Sequence, residues 1–189
     1  MDVCINRREN IPSKLRTGYQ HGNAGFSFLE LLITLALISL SLSMTLPSFS
    51  QLSSQLSAST TLNQLKASIK YAKSEAVNRG VRVRLCASKD GQYCDPSGQW
   101  EHGWIVYLDI AGKSARTETD PILKIHGQTN HVTIRKNGRY LTVSLNATGQ
   151  ISLNRSFYIC RISDRSPLFR LTLIHSGQLR VSNTDIACP

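Results

Sequence analysis

The chain carries few acidic residues, 12 against 22 lysines and arginines in 189 positions, and none of the familiar catalytic signatures. No GxSxG elbow, HExxH, GxxxxGK[ST] or GxGxxG occurs, which removes the usual hydrolase, zinc-protease, P-loop and dinucleotide-binding readings. The five histidines are scattered. His126 and His131 flank a predicted turn, but strand and surface histidines need no metal to explain them. There is no CxxC pair, so a structural zinc site lacks its ligand spacing. No repeat recurs at a fixed period, and no linker marks a second folded domain. Hence no enzyme, cofactor, metal or catalytic residue is expected.

What is present is charge and cysteine, unevenly distributed. The net charge is +10 with a pI near 9.7. Residues 1–25 contribute +2 through Arg7, Arg8, Lys14 and Arg16 against Asp2 and Glu9, leaving +8 on residues 26–189. Such a balance suits polyanions, or simply keeps a domain soluble. Of the five cysteines, Cys4 lies in the first 25 residues, and Cys86, Cys94, Cys160 and Cys188 follow the apolar run. An even set in an exported domain suggests disulfides. The short first loop favours Cys86–Cys94 with Cys160–Cys188, and two other connectivities remain open.

The apolar run is FSFLELLITLALISLSLSMTL, residues 26–46. As a helix its 21 residues reach about 30 Å, the thickness of a bilayer core. A signal-peptide core is shorter, about 7–15 residues. The basic flank before the run predicts a cytoplasmic N-terminus and an exported C-terminal side. Glu30 interrupts the run near its start. A carboxylate in hydrocarbon costs roughly 2.5–3.5 kcal/mol on insertion scales. No lysine or arginine lies nearby in the run, so its counter-charge is expected from another chain. A free amine created just before Phe26 on a neighbouring copy would serve, being largely cationic at neutral pH.

The stretch Gly25-Phe26-Ser27-Phe28-Leu29-Glu30-Leu31-Leu32 resembles the class III signal of type IV prepilins and type II secretion pseudopilins. The resemblance implies a leader at 1–25, cleavage between Gly25 and Phe26 by a prepilin peptidase, and N-methylation of Phe26 by the same enzyme. It further implies an assembly role for Glu30. Ser27 and Phe28 depart mildly from the usual threonine and leucine. By the same resemblance the protein is a single-pass subunit of a bacterial inner membrane with a periplasmic domain, which then enters a pilus or pseudopilus beside other pilins.

After the run, Pro47 is expected to kink or locally melt the helix, since it lacks an N–H and clashes with the preceding turn. Residues 47–80 turn amphipathic. Leu52, Leu56, Leu62, Leu65, Ile69, Ala72 and Ala76 recur at near-helical spacing and predict one buried stripe. The serine-rich stretch Ser48–Thr61 is poorly helical by propensity, and Gly80 fits a C-cap. The helix is therefore expected over Phe26–Arg79. From residue 81 the period switches to alternation. Val81, Val83 and Leu85 with Arg82 and Arg84 between them predict a half-buried strand. Further strands are expected at 104–108, 122–126, 132–135, 140–146, 151–153, 157–162, 169–175 and 179–182. Turn signals at Asn137-Gly138, Ala147-Thr148-Gly149 and Ser176-Gly177 favour antiparallel hairpins. The predicted fold is α+β: a long N-terminal helix, transmembrane then amphipathic, packed on an antiparallel, disulfide-bearing β domain at 81–189, in one sheet or two small ones.

Two further stretches, Ala72-Lys73-Ser74-Glu75-Ala76-Val77-Asn78-Arg79-Gly80 and Leu85-Cys86-Ala87-Ser88-Lys89-Asp90-Gly91 with Cys94, Trp100 and Gly103-Trp104-Ile105-Val106-Tyr107, resemble the GspH/FimT branch of pilin-like proteins. That branch contains minor type IV pilins and the minor pseudopilin H of type II secretion, so either role is implied. FimT-like pilins of competent bacteria bind DNA through a Gly-Arg-x-Arg motif. Gly177-Gln178-Leu179-Arg180 matches it at Gly177 and Arg180 and lacks the first arginine. Arg180, with Arg135, Lys136 and Arg139 around one turn, forms the candidate contact for double-stranded DNA phosphates.

Overall fold

The computed structural model describes residues 25–113, 115–137, 142–183 and 188, with the side chains of 44–50 outside that set. The expected leader as far as Ala24, together with Gly138, Arg139, Tyr140 and the side chain of Pro47, lies outside the described residues, as do the side chains of Met44, Thr45 and Leu46. The chain divides into two units, one ending at Ser43 and one beginning at Met44.

Helix α1 is assigned from Phe28 to Arg79, 52 residues, with Gly25, Phe26 and Ser27 non-helical before it. Within the first unit every described residue of the helix is exposed. Among the described residues no helix is long and apolar enough to cross a membrane. Residues 28–43, the apolar part whose side chains are described, would reach only about 24 Å as a helix.

In the second unit, α1 buries Ser54, Ala58, Thr61, Leu62, Leu65, Ser68, Ile69, Ala72 and Ala76. This corrects the expected stripe at its N-terminal end, because Leu52 and Leu56 stand 57% and 60% exposed. At about 100° per residue, Leu56 and Leu52 lie roughly 120° and 80° around the axis from Leu62. The small residues Ser54, Ala58 and Thr61 occupy the core-facing positions instead. Their burial also accounts for regular helix through a serine-rich stretch, since packing outweighs weak propensity. Gly80, at φ +63°, ends α1 with its N–H bonded to the Val77 carbonyl.

The strands form two antiparallel sheets. The first, in order β3-β2-β1-β5, comprises β1 (Val83–Ala87), β2 (Trp104–Leu108), β3 (Ile122–His126) and β5 (Thr142–Leu145). The second, in order β4-β6-β7-β8, comprises β4 (Val132–Lys136), β6 (Arg155–Arg161), β7 (Pro167–Leu173) and β8 (Leu179–Ser182). The α1 stripe shares one core with both sheets. Trp100 meets Phe157 edge-on at 4.9 Å, and the Trp104 indole N–H donates to the Ser68 hydroxyl at 3.0 Å.

Two strand expectations are corrected. β1 is buried at all five positions rather than on one face. It is central in its sheet, and its second face is covered by Ile105, Tyr107 and the Cys86–Cys94 loop. Residues 151–153 form no strand: Ile151 makes only an isolated bridge to Leu145.

Candidate functional site

Three groups of residues stand out: the apolar half of α1, the disulfides with the ionic cluster behind β1, and the basic face of the second sheet. In the first, Phe28, Leu29, Leu31, Leu32, Ile33, Leu35, Leu37, Ile38, Leu40 and Leu42 are all exposed, on every side of the helix, and Phe26 is exposed just before it. A helix that is apolar all round requires an apolar surround. Its polar groups are arranged accordingly. The hydroxyls of Thr34, Ser39, Ser41 and Ser43 each donate to a carbonyl three or four residues earlier, at 2.7–2.9 Å. Every hydroxyl of residues 28–43 is thereby satisfied within the helix, as hydrocarbon demands. Glu30, in the first turn, is the one ionisable group of that stretch. Gly25 and Phe26 precede the helix, exposed, with open space around Gly25.

The four described cysteines pair as Cys86–Cys94 and Cys160–Cys188. The first bond fastens the loop after β1 over its second face. The second ties the C-terminal segment to β6. Sequence reasoning missed the ionic cluster beside the first bond. Arg84, 9% exposed, donates from Nε to Asp109 Oδ2 at 2.8 Å, and Arg82 reaches the same oxygen at 3.4 Å. Nearby, burial pushes the Tyr107 hydroxyl up to about 12. Burial alone would also raise the carboxyl of Asp120. However, N–H groups of Ala111, Thr117 and Ile110 and the Thr117 hydroxyl donate to it and hold it at about 2. The signal was an aspartate closing a polar loop ahead of a strand. Both oxygens of Asp120 are engaged by donors, whereas Asp109 is engaged at Oδ2 and its buried Oδ1 has no hydrogen-bond partner among the described residues.

The candidate basic residues are only partly brought together. Cross-strand register places Arg135 opposite Tyr158, Tyr158 opposite Arg170, and Arg170 opposite Ser182. The next row is Ser156, Thr172 and Arg180. Arg135, Arg170 and Arg180 therefore share the sheet face turned away from the core, with the Arg170 guanidinium 5.5 Å over the Tyr158 ring. Arg135 and Arg180 are on opposite edge strands, about 14 Å apart across three strand spacings. Among the described residues neither has an acidic partner. Lys136, next along β4, falls on the core side by alternation, where burial lowers its amine below the ordinary lysine value. Arg170, absent from the expected set, is central to this face.

Gly177 has a packing reason of its own. A Cβ there would collide with the Gly149 carbonyl oxygen and crowd the Lys73 ammonium, which donates to the Ser176 carbonyl at 3.0 Å. Lys73 thus runs between two hairpin loops, and Gly149 and Gly177, both with φ above +70°, leave it room.

Comparison with known proteins follows the same lines. The family model for the type II transport protein GspH matches residues 61–179, and the prokaryotic N-terminal methylation motif matches residues 20–46. Two crystal structures of the type IV minor pilin FimU from Pseudomonas aeruginosa align at TM-scores of 0.53 and 0.54 with 20% identity. They cover 71% and 74% of this chain and 96% of FimU. The minor pseudopilin EpsH of the Vibrio cholerae type 2 secretion system aligns at 0.46 with 10% identity, over 67% of this chain and 96% of its own. No curated protein sequence matches. With more than half its length matched by the model of the type II transport protein GspH, behind a prokaryotic N-terminal methylation motif, the chain belongs to the GspH family and has the pilin-like α+β fold.

Proposed function

We propose that the chain is a minor type IV pilin. It is cut between Gly25 and Phe26, methylated on the new amine, and held in the inner membrane by residues 26–46 with its domain in the periplasm. It is then drawn into the pilus, where it helps begin or extend the fibre. The observation that carries this reading is the apolar half of α1: exposed on every side, internally satisfied in its hydroxyls, and interrupted by one carboxylate. In hydrocarbon or in a bundle of like helices, that carboxylate gains most from the cationic amine of a processed neighbour. Glu30→Ala is then expected to be cleaved normally but to be lost from the fibre. Immunoblots of sheared pili against the membrane fraction measure this, and a normally incorporated variant rejects the proposed pairing.

The alternative within the family is the minor pseudopilin H of a type II secretion system. A deletion strain separates the two: loss of surface pili supports the pilin, and loss of protein secretion with intact pili supports the pseudopilin.

A second activity, contact with double-stranded DNA, is favoured by the placement of Arg135, Arg170 and Arg180 on one face. Of the three, Arg135 and Arg180 are exposed and Arg170 is half-buried between them; exposed cations hold phosphates without reading sequence, and the binding weakens with salt. The double variant Arg135→Gln/Arg180→Gln is expected to lower affinity in a gel shift and to flatten its salt dependence. Unchanged affinity rejects this face as the contact.

A further inference from the structure

A cleft of about 530 Å³ opens where three segments of the domain meet. They are the turn after β1 with Lys89, Asp90 and Gly91, the short 3-10 helix Trp100–His102, and the end of β3 with Gly127 and Gln128 behind it. Hydrogen bonds to backbone carbonyls tie the three together. The Ser88 N–H donates to the Gly103 carbonyl at 2.9 Å, and the N–H and hydroxyl of Thr129 donate to the Glu101 carbonyl at 2.9 and 3.2 Å. Gly103, at φ +121°, comes so close to β3 that a Cβ would overlap the His126 carbonyl oxygen. The cleft is thus preformed, and its size falls in the range of roughly 300–1,000 Å³ that small-molecule sites occupy. Its side chains are presented rather than consumed. The Ser88 hydroxyl and the N–H groups of Gln92 and Tyr93 all donate to Asp90 Oδ1, which leaves Oδ2 for an incoming donor. The His126 ring lies flat on Trp104, centroids 3.9 Å apart, and its Nδ1 meets the Gly127 carbonyl at 2.8 Å. A carbonyl only accepts, so Nδ1 carries the proton and, in the neutral ring, Nε2 is an acceptor. His102 has a buried Nδ1 with no hydrogen-bond partner among the described residues. With no bond at Nδ1 to hold the ring, it can turn that nitrogen to a ligand, which then relieves an unpaired polar atom. Ile125, 59% exposed, adds an apolar wall.

The chemistry of the lining decides the class of ligand. Lys89 and Asp90 carry its formal charges and are opposite in sign, so neither an anion nor a cation meets an excess of the other sign. Among the described residues, no three histidine, cysteine or carboxylate groups converge to hold a metal ion. What remains is a mixed set of hydrogen-bonding groups. The Lys89 ammonium donates, Asp90 Oδ2 and His126 Nε2 accept, and the Gln128 amide and the His102 ring offer both functions. A hydroxyl also donates and accepts, so adjacent hydroxyls on one ring match such a set, and the C–H face of the same ring matches Ile125. We propose that the cleft is a saccharide site that takes a neutral sugar ring, either of a free oligosaccharide or of a glycan strand. It shares no residue with the row of Arg135, Arg170 and Arg180 on the second sheet. The binding is therefore separate from contact with DNA, and it depends on groups of the domain alone.

The test uses the full-length chain in lauryldimethylamine oxide micelles, a detergent without a sugar headgroup. Chitotriose and maltotriose are the soluble probes, read by saturation-transfer NMR. Isolated peptidoglycan sacculi are the polymeric probe, read by cosedimentation in about 0.5 M salt, where charge attraction is screened. Saturation transfer to a trisaccharide is expected, together with a shift of the His102 ring resonances on titration. Gln128→Ala and Asp90→Asn should each weaken binding about fivefold, the net worth of roughly one hydrogen bond, with the thermal midpoint unchanged. His126→Phe keeps an aromatic ring on Trp104, loses both nitrogens, and should weaken binding as much. Cosedimentation that a trisaccharide displaces identifies a glycan strand as the source of the sugar, and transfer without cosedimentation identifies a free oligosaccharide. Absence of both transfer and cosedimentation overturns the proposal. So does cosedimentation that neither trisaccharide displaces, which is adhesion to the polymer by another route. Binding that is equal in wild type, Gln128→Ala, Asp90→Asn and His126→Phe overturns this cleft as the site.

Discussion

Asp109 is a carboxylate with no exposed side-chain surface, and its charge is balanced by Arg84, itself largely buried, with Arg82 at longer range. Removing one member of such a pair is costlier than the pair is stabilising, because the remaining charge stays in a poor medium. Asp109→Ala is therefore expected to destabilise the domain by about 3–5 kcal/mol. The double variant Asp109→Leu/Arg84→Met should recover most of that loss. Urea unfolding of the domain produced without residues 1–50 provides the comparison, and additive single-variant losses in the double would refute the coupling. This pair was invisible in the sequence. Arg84 looked like the polar half of an alternating strand, and nothing local announced that Asp109, 25 residues away, would cover it. By contrast Glu30 is conspicuous in the sequence itself, as a lone carboxylate in an apolar run, and its assembly role is the proposal that Glu30→Ala tests.

At the scale of elements, periodicity carried most of the fold. The ends of β2, β3 and β8 and the C-terminal end of α1 fall where the pattern and Gly80 placed them. Where the pattern misled, it did so through residue type. Leu52 and Leu56 drew the stripe toward themselves, although the core-facing phase belongs to Ser54, Ala58 and Thr61. Apolarity records what could be buried, whereas phase records what is. The two phases make opposite demands on substitution. Leu65→Ala, at a fully buried position, is expected to cost about 2–5 kcal/mol. Leu56→Ala should stay within about 0.5 kcal/mol. Thermal unfolding of the same fragment distinguishes them, and a Leu56 variant as damaging as Leu65→Ala would mean that the helix is rotated from this phase. The sheet faces were less legible than the strands themselves. Arg135 and Lys136 are neighbours in sequence yet fall on opposite faces, while Arg170, far from both in sequence, completes the row. Cross-strand register, not composition, assembled that surface.

For the whole molecule, charge sets the response to acid. A net charge of +10 already opposes compactness, and protonating carboxylates increases it. Among the described residues, four aspartates of the domain titrate below their ordinary range. N–H groups of Tyr93 and Gln92 hold Asp90 down, the Ser97 hydroxyl and N–H do so for Asp95, and the Ser166 N–H for Asp164. Asp120 is the buried member, held at about 2 against an ordinary value of 3.8. A carboxyl whose folded value is depressed stabilises the fold above its unfolded value and ceases to do so as pH falls through its folded one. The contribution of Asp120 is thus complete above pH 3.8 and disappears as pH drops from there toward about 2. Its size is about 2.5 kcal/mol, since a tenfold change in proton affinity is worth roughly 1.4 kcal/mol. Asp120→Asn keeps an acceptor oxygen for one pair of these donors, sets its NH2 against the other pair, and has no charge to lose. Its unfolding free energy should therefore be lower than wild type at pH 5 by at least that amount, with the difference narrowing toward pH 2. Urea titrations at a series of pH values read this directly. Parallel curves for the two proteins across that window would show that the donors around Asp120 do not favour its ionised form, and that acid instability comes from global repulsion alone.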